Sequence, residues 1–354
     1  MTGARIHSYG HAVPAPTGQG ELWTGFFARH YRGNPVAERM FRAVGVQTRH
    51  VVVNHQLEDV SAWPTSRRME RYMAEALPLG KEAIGEALSG AGLVPDELGM
   101  LVVASCTGYA SPGLNVLLAR DLGMSPDLRS LLIGHMGCYA SLPALAVAAD
   151  YVSLHHRPAL VLCLELTSLH LQPAELPTYA LTPESVQQMV IHALFADAAA
   201  AVVVTPEGGS GGLEMVDVVS VTDTTAADMM TWDIGEQGFR MGLSPDVPKV
   251  LGRHARPAVE SLLGRHGLSP ADVGAWAIHP GGPAILESVR DALGLPDQAL
   301  DPSREVLRDY GNCSSPTVLL ILERVAATLT SGDYAVALAF GPGLTLYGSL
   351  LRMR

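Results

Sequence analysis

Gly92-Leu93-Val94-Pro95-Asp96-Glu97-Leu98-Gly99 is answered 175 positions later by Gly267-Leu268-Ser269-Pro270-Ala271-Asp272-Val273-Gly274. Each copy follows an amphipathic helix pattern and precedes a short apolar run of strand type. Near the same offset, Gly137-Cys138 is answered by Gly311-Asn312, each ahead of a helix-like stretch. The apolar run ending at Cys163 is answered by Ala335 to Phe340. A repeat of this length constrains the fold more than any local propensity, because each copy must build the same unit. The chain is therefore predicted to form two similar α/β halves, 1–205 and 206–354, divided at the glycine-rich break Pro206 to Gly212. Alternating buried strands and helices imply sheets layered with helices. A pseudo-twofold pair of halves would bring the helix entrances at Cys138 and Asn312 towards a shared centre.

Between these landmarks the pattern is regular. Helix is expected over 56–89, 114–122 and 185–195, and strand at 100–105, 131–133, 159–163 and 199–204. Gly208-Gly209-Ser210-Gly211-Gly212 matches a serine-hydrolase pattern in letters only. It joins two strand-like runs, whereas a nucleophile elbow needs a helix directly afterwards.

Composition narrows the function. A 48% hydrophobic content allows a sizeable core, and a formal net charge of -11 argues against a general nucleic-acid binder, which needs basic surface. The four cysteines, Cys106, Cys138, Cys163 and Cys313, form no CxxC pair and suit neither a zinc site nor a disulfide scaffold. Free thiols fit a reducing cytosol. No apolar run reaches membrane-span length and no signal pattern opens the chain, so a cytoplasmic location is expected. Arg39, Arg42 and Arg49 form a basic cluster, with Arg42 read as part of a solvated helix face.

Three residues stand where chemistry is possible. Cys138 follows an apolar strand and a glycine turn and opens a helix, where unpaired N–H groups and the helix dipole favour a thiolate. That makes it a candidate nucleophile, although most cysteines in such surroundings are packing residues. His279, in Ile278-His279-Pro280-Gly281-Gly282, ends a buried strand, where ligands sit in α/β folds, or is a hydrogen-bonded structural histidine. Asn312, in Gly311-Asn312-Cys313-Ser314-Ser315, can cap the following helix or direct its amide at an oxyanion, and the two roles are compatible. Cys313 is read as packing.

These motifs together resemble the type III polyketide synthases, the chalcone-synthase-like family of the thiolase fold, over about Arg39 to the C-terminus. Cys138 in Gly-Cys-Tyr-Ala matches the nucleophile motif, and Phe195 in Ala193-Leu194-Phe195-Ala196-Asp197 the gatekeeping phenylalanine. His279 and Asn312 match the other catalytic members, and Phe340-Gly341-Pro342-Gly343 the C-terminal signature, which assigns Gly341 and Pro342 to the substrate pocket. The resemblance implies a five-layer αβαβα arrangement and a homodimer. It also implies an acyltransferase using acyl-CoA and malonyl-CoA, with no metal and no cofactor beyond CoA thioesters.

Several positions depart from the plant pattern. Arg39 aligns with a residue that binds CoA phosphates, but Val36 and Ala43 fall where plant members carry lysines. Met241 replaces a second gating phenylalanine. His170 falls at a cavity position that is threonine in chalcone synthases, and Cys106 at a pocket position that is cysteine in bacterial tetrahydroxynaphthalene synthases. Ser111 falls where the family lends a side chain to the partner's cavity. The Trp232 to Pro248 segment favours an alkylpyrone or alkylresorcinol product. Cys106 leaves open a synthase using malonyl-CoA alone, and a ketoacyl synthase III-type priming enzyme shares the Cys-His-Asn set.

Overall fold

The computed structural model describes residues 3–173, 181–206 and 211–354. Among them the strands are β1 (Ala4–Ala12), β2 (Pro16–Gly18), β3 (Thr48–His50), β4 (Met100–Ala104), β5 (Arg129–Ile133), β6 (Ala159–Leu166), β7 (Asp197–Pro206), β8 (Leu213–Thr222), β9 (Met230–Gly235), β10 (Gly238–Leu243), β11 (Val273–Ile278), β12 (Tyr334–Gly341) and β13 (Thr345–Met353). Nine of them hydrogen-bond in the order β11-β12-β13-β8-β1-β7-β6-β4-β5.

Read outward from its centre, this order is the same twice. β1, β7, β6 and β4 follow one another on one side, and β8, β13, β12 and β11 on the other. In each set the outer pair, β4 with β6 and β11 with β12, is parallel, and the remaining pairings are antiparallel. The sets meet where β1 and β8 pair through Arg5↔Glu214 and Ile6↔Leu213. Only the first set carries a further strand, β5, at its outer edge.

The repeated octapeptide has a local physical basis. Its first glycine turns the chain in a left-handed conformation, Gly92 directly after its helix at φ 66° and Gly267 shortly after the helix Val247–Gly264 at φ 68°, which costs a glycine little. A short 3-10 turn follows, Pro95–Glu97 or Pro270–Asp272. The last carboxylate of each turn accepts a backbone N–H from the turn's start, Glu97 from Val94 and Asp272 from Ser269, both at 2.8 Å. The chain then enters β4 or β11.

Strand alternation sorts side chains into three cores. Leu101, Val103, Leu160 and Leu162 face the helix Thr65–Ala91, which supplies Ala76, Ala83, Ile84 and Ala87. On the opposite face Val102, Ala104, Val161 and Cys163 meet helices Ser141–His155 and Pro316–Ala326, and so do Ala335, Ala337 and Ala339 of β12. The other face of β12 packs Val336 and Leu338 on helices Val247–Gly264 and Pro283–Leu293. Helix, sheet, helix pair, sheet and helix pair make the five-layer αβαβα thiolase fold.

Some boundaries differ from the sequence reading. The helix expected from residue 56 starts at Thr65, after Pro64, and then runs unbroken to Ala91. Gly208 to Ser210 lie outside the described residues. Gly211 and Gly212 lead straight into strand β8 rather than into a helix. Among the described residues one helical stretch, Gly137–His155, is long and apolar enough to cross a membrane, but 61% of it is buried in the middle layer.

Candidate active site

Both middle-layer helices begin at one cavity. Cys138 lies in a 3-10 turn, Gly137–Tyr139, that feeds the helix Ser141–His155. The turn is held from behind. A Cβ on Gly341 would come within 2.6 Å of Tyr139 Cδ1 and 3.0 Å of the Met136 carbonyl, and one on Gly137 within 2.7 Å of Pro342. Gly341 and Pro342, expected in the pocket, thus buttress the nucleophile turn and are not in the wall of either cavity described here. Only residues without bulk permit that approach.

Asn312 enters from the other half. Its N–H donates to Leu194 O (2.9 Å) and its carbonyl accepts from Ala196 N–H (3.0 Å), which fixes it beside Phe195. Its Oδ1 accepts the Ser314 N–H at 2.8 Å. With the amide oxygen so committed, Nδ2 is left as the group free to donate. His279 follows directly on β11, and its N–H donates to Leu338 O (2.8 Å). It is 1% exposed, and neither ring nitrogen has a partner among the described residues. Cys138, His279 and Asn312 line one cavity, whose wall is completed by Phe195, Met230, Met241, Leu243, Ile285 and Phe340.

Burial dominates the electrostatics there. Desolvation pushes the Cys138 thiol up to about 12, with the Glu165 carboxylate adding to the rise. A hydrogen bond with Ser314 and the backbone N–H at the helix entrance pull the other way. Desolvation likewise pushes His279 down to about 3. The thiolate expected from the helix entrance is therefore not favoured, because loss of water outweighs the helix end. Both shifts favour the neutral forms, a thiol at Cys138 and an imidazole at His279.

Behind Phe195 and Met241, which belong to both walls, lies a second cavity. His170 is in its wall as expected. It stacks on Phe239, with ring centroids 4.4 Å apart, donates from Nε2 to Thr107 O (2.7 Å) and accepts the Phe239 N–H at Nδ1 (3.0 Å). Cys106 lies behind this wall rather than in it, and its carbonyl accepts the Trp232 indole N–H (2.8 Å). Arg49 is not on the surface with Arg39 and Arg42; it is 3% exposed and lines the inner cavity. Arg39 and Arg42 are exposed on the helix Pro35–Ala43, where Arg42 pairs with Glu38. Ser111 is exposed in the loop before helix Leu114–Asp121.

One buried acid escaped the sequence reading. Glu165, fully buried in β6, accepts from Cys106 N–H (3.0 Å), Thr107 Oγ1 (2.8 Å) and Ser315 Oγ (2.8 Å). Burial raises its carboxyl despite those donors. Its signal was a lone carboxylate in an otherwise apolar strand, Leu162-Cys163-Leu164-Glu165-Leu166.

Comparison with known proteins agrees with this geometry. Residues 35–208 match the N-terminal domain of chalcone and stilbene synthases, and residues 218–353 the C-terminal domain. A 1,3,6,8-tetrahydroxynaphthalene synthase of Streptomyces peucetius subsp. caesius is 35% identical over 323 residues, covering 89% of this chain and 82% of that protein. The alpha-pyrone synthesis polyketide synthase-like Pks18 of Mycobacterium tuberculosis is 33% identical, covering 80% of this chain and 72% of its own. The crystal structure of tetrahydroxynaphthalene synthase from Streptomyces coelicolor, a bacterial type III polyketide synthase, superposes with a TM-score of 0.90 at 29% identity, covering 99% of each chain. The repeated strand frame, the paired helix entrances and these likenesses together place the chain in the chalcone and stilbene synthase family, as an acyltransferase of the type III polyketide synthase kind.

Proposed function

We propose that Cys138 carries the acyl chain and that His279 and Asn312 act on malonyl-CoA. The observation that carries this reading is the one mostly apolar-walled cavity in which the thiol, an unpartnered imidazole and a free amide N–H group meet. His279 takes the Cys138 proton as the sulfur attacks the starter thioester, and the proton leaves with the CoA thiol. Malonyl-CoA then loses CO2. The enolate oxygen is met by Asn312 Nδ2 and the neutral imidazole N–H, donors already in place where charge develops. The enolate carbon attacks the Cys138 thioester, the sulfur leaves, and the chain is two carbons longer. Repetition, ring closure and release give the product, with CoA thioesters as the only small molecules required.

The CoA phosphates are assigned to Arg39, exposed at the outer end of the helix Pro35–Ala43. A homodimer is supported by β5, an edge strand whose Leu131 and Leu132 are exposed near 40%, with Tyr109 and Val116 also exposed. Ser111 lies on the same loop as Tyr109 and so would reach a partner bound there. The chain is proposed to act in the cytoplasm as two half units, 1–205 and 206–354, a division supported by the repeated strand order.

A pyrone or resorcinol ring is the proposed product, and Pks18 is a relative so described. An observation favours a second reading, a tetrahydroxynaphthalene-type synthase using malonyl-CoA alone. The inner cavity carries Arg49 and His55 in its wall, whose unpartnered nitrogens an alkyl chain would leave unmatched. Mass spectrometry of products from purified enzyme, malonyl-CoA and acyl-CoAs from acetyl to long chain separates the two. Starter-dependent rings that vanish in Cys138→Ala are expected. Product from malonyl-CoA alone selects the second reading, and condensation only on a carrier-bound malonyl group sinks both.

A further inference from the structure

The wall of the inner cavity holds more hydrogen-bond donors than the protein uses. Arg49 gives Nη1 to the carbonyls of His192 (2.6 Å) and Phe195 (3.1 Å). Its Nε and Nη2 are buried with no partner. The guanidinium stands over the rings of Phe27 and Phe41, at 5.5 and 5.7 Å, which offer no lone pair. The nearest acid, Asp197, is already occupied. Its oxygens accept from Ser168 N–H (2.8 Å), Ser168 Oγ (2.5 Å), Val52 N–H (2.8 Å) and Thr167 Oγ1 (3.2 Å). His55, 5% exposed in the same wall, has an unpartnered Nδ1.

The neighbouring imidazoles are spent. His192 Nδ1 is bonded to Tyr31 OH (2.6 Å) and its Nε2 accepts the Gln172 N–H (3.5 Å). Both nitrogens of His170 are taken. Buried donors without acceptors are rare, and their cost is lifted only by an acceptor that arrives. A carboxylate fits best, since its two oxygens match the planar fork of an arginine that already lacks partners on one edge.

On the reading of Cys138 as the acyl carrier, we propose that Arg49 and His55 bind a terminal carboxylate at the far end of the acyl chain. The starters are then mono-CoA esters of dicarboxylic acids. The place suits the direction of growth. Each extension inserts two carbons at the thioester, so the starter's far end moves past Phe195 towards Arg49. Even a malonyl starter, too short at first, would bring its carboxylate there after extension.

The test compares glutaryl-CoA with valeryl-CoA, of the same chain length, and with 5-oxohexanoyl-CoA, which puts a ketone at that point. Intact-protein mass spectrometry follows acylation of Cys138, and kcat/KM follows product. Glutaryl-CoA is expected to exceed both by at least about tenfold, because a site built around buried donors discriminates against groups that leave them unpaired. The ratio should fall towards one in Arg49→Gln and partly in His55→Leu. Arg49 also holds two carbonyls, so its loss can lower all rates; the ratio is the readout that a purely structural role would leave unchanged. His55→Leu keeps the test alive if Arg49→Gln does not fold. A glutaryl to valeryl ratio of one or less in wild type overturns the assignment. So does a ketone as good as the carboxylate, or a ratio unchanged in the folded variants. If no CoA ester acylates Cys138, the acyl-carrier reading falls with it, an outcome distinct from acylation without preference.

Discussion

The two halves lay down the same four strands and then place different chemistry at equivalent points. The helix Ser141–His155 opens near Cys138 in the first half, and Pro316–Ala326 opens near Asn312 in the second. The residue just beyond β11 is His279, and the residue just beyond β4 is Ser105, whose hydroxyl is bonded to Tyr72 (2.7 Å) and faces no reaction. On the proposed reading a nucleophile comes from one half and both donors from the other. The repeated strand order supplies the frame, and different residues at its matching points would divide the work. The halves also differ at their outer edges. β5 extends the first sheet, while in the second the helix Asp301–Tyr310 occupies the corresponding stretch before Asn312.

The division of work is broken most directly at Asn312. In Asn312→Ala the amide donor goes, while Cys138 and His279 keep their places. Condensation and malonyl decarboxylation should fall about 10²–10³-fold, the usual cost of one oxyanion donor. Acylation of Cys138 by starter should change little. Rapid-quench kinetics with the acyl-enzyme measured by mass spectrometry reports both steps. An equal fall in loading and condensation would mean that the halves do not divide the reaction as described.

The edges give the next contrast. β5 exposes Leu131 and Leu132 where its counterpart half has no strand. Leu132→Glu should weaken self-association by about ten- to a hundredfold, as expected for an apolar contact near the centre of an interface. Sedimentation velocity across micromolar concentrations reads the effect. An unaltered dimer would put the interface elsewhere and remove the argument that links Ser111 to a partner's cavity.

What the sequence revealed follows from what is local. The octapeptide repeat is punctuation, a left-handed glycine and a turn closed by its own carboxylate, so it announced the matching strands β4 and β11 in both halves. Cys138, His279 and Asn312 were legible because each sits at an element end that the pattern of apolar runs already marks. The burial of Arg49 was not legible, for the opposite reason. It shares its residue type and neighbourhood with the exposed Arg39 and Arg42, and only tertiary packing against Phe27, Phe41 and the 192–195 carbonyls buries it. The run Leu131 to Ile133 is apolar enough for an interior strand, and nothing local separates an interior strand from an edge that expects a partner. Gly341 and Pro342 were known by motif, but their contact with the turn at Cys138 joins residues more than 200 positions apart.

The pH dependence of Cys138 decides which force rules the helix entrance. Helix-end N–H groups favour thiolate at Cys138, and burial favours thiol; the balance lies with burial, at about 12. For a thiol the depressed form is the anion, so reactivity tracks the thiolate fraction and rises tenfold per pH unit below that value. Alkylation of Cys138 by iodoacetamide, followed by peptide mapping, should therefore climb about a hundredfold between pH 7 and 9. Cys163 and Cys313, buried and also raised, should lag behind it. With His279 pushed down to about 3, the imidazole is neutral throughout this range and His279→Ala should leave the slope intact. A rate already level above pH 6, and lost in His279→Ala, would show a preformed thiolate–imidazolium pair. The second half would then be setting the charge of the first even before substrate enters, and the helix entrance would matter less than the histidine across from it.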